Sequence, residues 1–285
     1  MNHALKAPLA RIALASSTLV LAAAAHAVEI GPAPTEASLT ATAGPFATAS
    51  AKVATPNTYG SGTVWYPTAA GQYGLVVVSP GFTESEKAIN WWGPRLASHG
   101  FVVVTMGTKS VFDQPESRGK QMMAALKQVA GLNATGPFAG KIDTTKQAVA
   151  GHSMGGGGTL AAARDNPSLK AAIPLAPWHT IKDFSSVKVP TLVVACEKDI
   201  IAPVRSHAQK FYDSMSAATP HAILELVGED HFSVNRNTES VNKAVNSKMA
   251  TAWLKVFMDN DARYKPFLAE TKPSAIISRY LKVGL

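Results

Sequence analysis

Short runs of consecutive aliphatic residues, each closed by turn-forming residues, recur along the chain. Leu75-Val76-Val77-Val78 stops at Ser79-Pro80-Gly81, and Phe101-Val102-Val103-Val104 stops at Thr105. Ala171 to Leu175 and Thr191 to Ala195 repeat the pattern. Runs without alternation read as strands buried on both faces. Gly62 to Tyr66, ended by Pro67, is a shorter β run, Ala148 to Gly151 leads into a glycine turn, and Ala222 to Val227 is expected to be the last strand. Between these runs the spacing changes. Met122, Leu126 and Val129 recur at four and three, which places Glu116 to Leu132 in a helix. Ser85 to Ser98, Thr159 to Arg164, Val204 to Met215 and Val241 to Met258 are read as further helices, and residues 31–56 as an extended lead-in. Buried strands alternating with helices imply an α/β fold, a largely parallel central sheet covered by helices on both faces. Ligands bind such sheets at the carboxyl ends of the strands.

The first 27 residues stand apart. Lys6 and Arg11 precede an acid-free apolar stretch from Ile12 to Ala25, and Ala25-His26-Ala27 has the small-x-small form of a cleavage site. This reads as a secretory signal peptide; the apolar stretch is short of the ~20 residues a membrane span needs. The mature chain, 28–285, is expected to be one domain outside the cytoplasm, extracellular or periplasmic, since no linker or internal repeat divides it. The 285 residues are 46% hydrophobic, enough for a large core. The formal charge of +8 falls to +6 once Lys6 and Arg11 are removed, and the basic residues are scattered. Nucleic-acid binding needs a clustered basic face, and no run of five basic residues suggests one. The one cysteine, Cys196, lies in the aliphatic Thr191 run and reads as a core residue.

Candidate chemistry centres on Gly151-His152-Ser153-Met154-Gly155, placed between a strand and a Gly-rich helix start. G-x-S-x-G in that setting resembles the nucleophile elbow of α/β-hydrolases, in which an acid and a histidine follow the serine in chain order. Ser153 is the candidate nucleophile and needs a base within hydrogen-bond reach. His3 and His26 leave with the leader. His99 precedes Gly100 at a helix end, His152 adjoins the serine, His179 comes before the acid, His207 is helical and His221 opens a strand. His231 alone follows the final expected strand in a loop, and is the candidate base. Asp199, just past the Thr191 run, is the candidate orienting acid, with Asp183 as the outside alternative. The oxyanion donors would be the backbone N–H groups of Met154 and Phe82. The glycines from Gly155 to Gly158 cost about 1 kcal/mol each in helix propensity, which implies a close backbone approach there. Phe82 and Trp178 flank the proposed cleft, Trp178 being divided between cleft and core. No metal motif, dinucleotide fingerprint or P-loop is present, so neither metal nor cofactor is expected.

These residues sit within a longer resemblance to the bacterial cutinase and poly(ethylene terephthalate) hydrolase family. It runs through Gly31-Pro32, Ala43-Gly44-Pro45-Phe46, Trp91 to Gly100, Asp113-Gln114-Pro115, Gly151 to Gly158, Ala176-Pro177-Trp178 and Phe257 to Asp261 with Arg263-Tyr264. The resemblance implies an α/β-hydrolase without a lid, a triad of Ser153, Asp199 and His231, and oxyanion donors at Phe82 and Met154. It also implies an open groove lined by Phe82, Trp178 and Ile201. The implied substrates are polyesters, cutin-like or aromatic, and short-chain esters, cleaved through an acyl-enzyme. The alternative is a small-ester carboxylesterase or lipase with no useful polymer activity. The substrate is the only expected partner; the protein is taken as a monomer without nucleic acid or membrane. Phe82 stands where family members often have tyrosine, and His152 and Phe232 follow the cutinase-like pattern. Cys196 matches half of a family disulfide, but Ser233 occupies the partner position, and the tail from Leu268 to Leu285 departs from the family pattern without a cysteine.

Overall fold

The computed structural model of the chain describes Met1 and residues 29–54, 57–235 and 240–285. The expected leader, 1–27, lies outside the described residues but for Met1. Among the described residues nine strands form one sheet: β1 (Thr48–Lys52), β2 (Gly62–Pro67), β3 (Tyr73–Ser79), β4 (Phe101–Met106), β5 (Ile142–His152), β6 (Ala171–Leu175), β7 (Thr191–Cys196), β8 (His221–Leu226) and β9 (Ile277–Val283). Their order is β1-β2-β4-β3-β5-β6-β7-β8-β9. The six strands from β4 to β8 in that order run parallel, and β1, β2 and β9 add antiparallel edges.

Each aliphatic run alternates its side chains between two cores. Val76, Val78, Val103, Leu192 and Val194 point to one face, where they pack with α2 (Trp92–Ala97) and α6 (Val241–Met258), including the fully buried Trp253. Leu75, Val77, Val102, Val104 and Val193 point to the other face, against α3 (Pro115–Gly131), α4 (Met154–Asp165) and α5 (Ala208–Ser214). Period-two geometry therefore needs both faces apolar, which is why the runs are unbroken.

Four expectations are corrected. Ala222 to Val227 is not the last strand: β9 follows and pairs antiparallel with β8. The strand before the elbow begins at Ile142, not Ala148. Ser85 to Ser98 is a single 3-10 turn, Glu86–Ile89, followed by the short α2. Pro94, within the first turn of α2, has no N–H to carry one continuous helix. Val204 to Met215 breaks at His207, whose φ of −126° and ψ of −91° separate a 3-10 turn from α5. No described helix is long and apolar enough to cross a membrane.

Sheet register gathers the functional loops. Ser79 of β3 lies opposite Gly151 of β5, which sets the Pro80-Gly81-Phe82 loop beside the elbow. His152 lies opposite Leu175, so the Ala176-Pro177-Trp178 loop borders the elbow on its other side. Cys196 of β7 lies opposite Leu226 of β8, which aligns the Asp199 loop with the His231 loop. Parallel strands all end on one edge, so residues far apart in sequence share one surface.

Candidate active site

Ser153 links the end of β5 to the start of α4 with φ +54° and ψ −118°. A non-glycine residue is strained there, and such strain gathers at functional turns. The turn requires small neighbours. A Cβ on Gly155 would overlap the backbone oxygens of Ser79 and Pro80, and one on Gly157 would overlap the Trp178 carbonyl. The close approach implied by the glycine run is therefore real: α4 starts hard against the Ser79-Pro80 and Trp178 backbone.

The three triad candidates come together. His231 Nδ1 lies 2.7 Å from Asp199 Oδ2, and His231 Nε2 lies 2.8 Å from Ser153 Oγ. All three residues are buried, between 3% and 6% exposed, so these contacts are shielded from bulk water. An ionised carboxylate only accepts, so Nδ1 carries the imidazole proton and Nε2 is left to accept from the serine hydroxyl. Asp199 is itself held by its other oxygen: Oδ1 accepts from the backbone N–H groups of Ile201 (2.9 Å) and Ala202 (2.7 Å). Asp183, the alternative acid, uses its carboxylate on the Ser185 N–H and is far more exposed to water.

Met154 is the first residue of α4, so its N–H has no intrahelical acceptor. Among the described residues no backbone or side-chain acceptor takes the Phe82 N–H. The helix start adds partial positive charge at the same point. Ser153 O accepts from Gly157 N and Trp178 N, each at 2.9 Å, which joins the elbow, the helix and the Trp178 loop at one atom. Ala176, at φ +40°, turns the chain out of β6 into that loop.

Apolar side chains surround this cluster. Phe82 is 41% exposed and Phe232 46%; Ile201 is exposed and Trp178 half-buried. The Phe232 ring stands edge-on to His231 with centroids 5.4 Å apart. Trp178 stacks on His207 at 6.0 Å and an interplanar angle of 28°. Burial, and then the nearby Lys182 ammonium, holds His207 down at about 4, so it supports Trp178 as a neutral ring near pH 7. Phe112 is exposed and meets Phe82 edge-on at 5.6 Å.

Sequence reasoning did not single out His207, Phe112, Glu84 or Asn235. His207 read as a helical residue, and only the break in the helix aims its ring at Trp178. Phe112 carried no signal beyond being aromatic and adjoining Asp113. Among the described residues no group of three His, Cys, Asp or Glu side chains is arranged to hold a metal ion.

The sequence model of a family described as PET hydrolase-like matches residues 22–282. The chain belongs to the PET hydrolase-like family. Its similarity to characterised members is long. It is 46% identical to a bis(hydroxyethyl) terephthalate hydrolase of Streptomyces coelicolor, covering 90% of this chain and 82% of that one. It is 45% identical to a cutinase of Thermobifida fusca, covering 94% and 89%. Cutinase 1 of Thermobifida cellulosilytica is 46% identical over 86% of this chain and 92% of its own. This PET hydrolase-like chain has the mostly parallel, helix-covered sheet expected of an α/β-hydrolase. Its single cysteine, Cys196, is buried in β7, and Ser233 bonds to Asp230 in the His231 loop.

Proposed function

We propose that the chain is a secreted serine ester hydrolase of 28–285, acting as a monomer on polyester chains, aromatic or cutin-like, and on short-chain esters. The observation that carries the reading is the unbroken line from Asp199 through His231 to Ser153 Oγ. Family membership, and relatives named as cutinases and a terephthalate-ester hydrolase, support the substrate class. The leader features of residues 1–27 support export.

In this reading His231 Nε2 takes the Ser153 proton as Oγ attacks the ester carbonyl. Asp199 keeps the imidazole in the required tautomer and stabilises the imidazolium. The new oxyanion accepts from the Phe82 and Met154 N–H groups, neither of which has another acceptor among the described residues. His231 then protonates the leaving alcohol, and water attacks the acyl-Ser153 ester by the same route in reverse. Exposed Phe82, Phe112, Ile201 and Phe232, with Trp178 on its His207 support, offer apolar ground along which an insoluble chain lies flat.

The test is product release from p-nitrophenyl butyrate and from an amorphous aromatic polyester film, with Ser153→Ala as control. Turnover of both, lost in the variant, is expected. Turnover of the soluble ester alone would leave a small-ester carboxylesterase. Inactivity on both by a folded protein would overturn the triad.

A further inference from the structure

The turn that presents the Phe82 N–H folds back on itself. Glu84 N–H donates to Gly81 O at 3.2 Å, and Thr83 between them takes φ +63°, a strained conformation for a β-branched residue. The turn returns the Glu84 side chain to its own start, where Oε2 accepts from the Gly81 N–H at 2.5 Å. The same carboxylate then meets two other segments. Oε2 lies 2.9 Å from Nδ1 of His152, the residue before the nucleophile. Oε1 accepts from Asn235 Nδ2 at 2.6 Å, on the loop that carries His231. Asn235 Nδ2 is also 2.7 Å from His152 Nδ1.

His152 continues the connection. Its Nε2 donates to the His231 carbonyl at 2.8 Å, because a carbonyl oxygen can only accept. The ring therefore has the Glu84 carboxylate and the Asn235 amide against Nδ1 and the base's own backbone carbonyl against Nε2, with the His152 and His231 rings 4.7 Å apart. Packing leaves no slack: a Cβ on Gly81 would fall 2.8 Å from Glu84 Oε2, 2.9 Å from Ser153 Cβ and 3.0 Å from His152 Nδ1. Burial pushes the Glu84 carboxyl up, but its contacts with His152, Gly81 and Asn235 outweigh that and hold the group below the ordinary value. Glu84 bonds to none of the three triad side chains among the described residues.

We propose that Glu84 is a positioning residue for ester hydrolysis, one carboxylate that holds the oxyanion loop, the nucleophile elbow and the base loop in mutual register. The proposal rests on the ester-hydrolase reading above. Its consequence is kinetic. The Phe82 N–H, Ser153 Oγ and His231 Nε2 sit on three different loops, and a misplacement of about 1 Å among such groups costs on the order of 100-fold in rate. Ground-state binding on the apolar surface does not depend on that register, so the loss falls on kcat.

The experiment compares wild type, Glu84→Gln, Glu84→Asp, His152→Gln and the Glu84→Gln/His152→Gln double variant on p-nitrophenyl butyrate, with thermal unfolding of each. Glu84→Gln keeps the shape but presents an amide where the carboxylate accepted, and Glu84→Asp keeps the charge but cannot span the three segments. For both, kcat is expected to fall about 10- to 100-fold with KM held within about twofold. The double variant is expected to fall little further than either single one, as members of one unit do. A kcat near wild type in Glu84→Gln or Glu84→Asp, a loss confined to KM, losses that multiply in the double variant, or a loss matched by unfolding at the assay temperature would each overturn the proposal. Wild-type turnover abolished by Ser153→Ala keeps the hydrolase reading intact in every one of those cases. A folded wild type without turnover would remove both.

Discussion

Asp199→Asn separates an orienting acid from a bystander, and the surroundings of the carboxylate dictate how the replacement must sit. Oδ1 of Asp199 accepts two backbone N–H groups, from Ile201 and Ala202. An asparagine amide has one oxygen, and turning its NH2 toward two donors would leave three polar groups unpaired in a buried site, at about 1–3 kcal/mol each. The oxygen of the substituted amide therefore stays with the backbone, and its NH2 faces His231 Nδ1. That nitrogen must then accept, so the imidazole proton moves to Nε2. Nε2 is 2.8 Å from Ser153 Oγ. A protonated Nε2 cannot take the serine proton, and the base is lost without any displacement of the ring. The expected fall in kcat at pH 7 is about 10⁴-fold, which corresponds to about 5 kcal/mol of transition-state stabilisation. KM should change little, since the apolar binding surface is untouched. Steady-state hydrolysis of p-nitrophenyl butyrate measures both, with the melting temperature checked in parallel. Activity within tenfold of wild type would show that another carboxylate orients His231.

Two further predictions concern stability. His99 is 3% exposed, and burial, followed by the nearby Arg95 and Lys255 cations, drives it from 6.5 down to about 3. Above pH 6.5 it is neutral folded or unfolded; as pH falls toward 3 only the unfolded chain takes up the proton, so stability declines by about 1.4 kcal/mol per pH unit. Urea unfolding at pH 7 and pH 5 should show a loss of about 2 kcal/mol that His99→Gln lacks, and equal pH dependence in the two proteins would disprove it. Lys255 and Asp259 are both fully buried at 3.0 Å, one turn apart at the end of α6, with the Lys255 ammonium 4.6 Å from the Phe101 ring centroid. Asp259→Ala removes the carboxylate that bonds this buried cation and should cost about 3–5 kcal/mol by urea unfolding, whereas Lys255→Met/Asp259→Leu should cost clearly less. A single variant within about 1 kcal/mol of wild type would show that the pair contributes little.

What was legible in the sequence followed from burial. β4, β6 and β7 announce themselves because both faces of each strand lie under helices, so no polar residue interrupts them. The first half of β5, Asp143 to Lys146, is solvated and polar, and β9 carries Arg279 and Lys282 among its apolar residues. Neither has the unbroken aliphatic run that identifies the others, so neither reads as a strand. The triad candidates are legible because chain order and strand ends constrain them strongly. Glu84 is not, since Thr-Glu-Ser-Glu is an ordinary loop composition; only the left-handed Thr83 aims one of its two acids at the elbow. His207 is hidden for a similar reason: its role depends on a break in the backbone that composition does not forecast.

The two outer strands bear on how the protein behaves in a crowd. A catalyst that works on a solid film is concentrated there far above its level in solution, with neighbouring molecules pressed side by side. Unpaired strand edges invite such neighbours to join their sheets, and basic side chains on an edge oppose it. β1 ends in Lys52, which pairs with Glu86 yet stays largely exposed, and β9 presents Lys282 beside an Arg279 paired with Glu225. Charged side chains on both rims disfavour sheet-to-sheet joining, so the same nine-stranded sheet that gathers the candidate triad also discourages its own stacking.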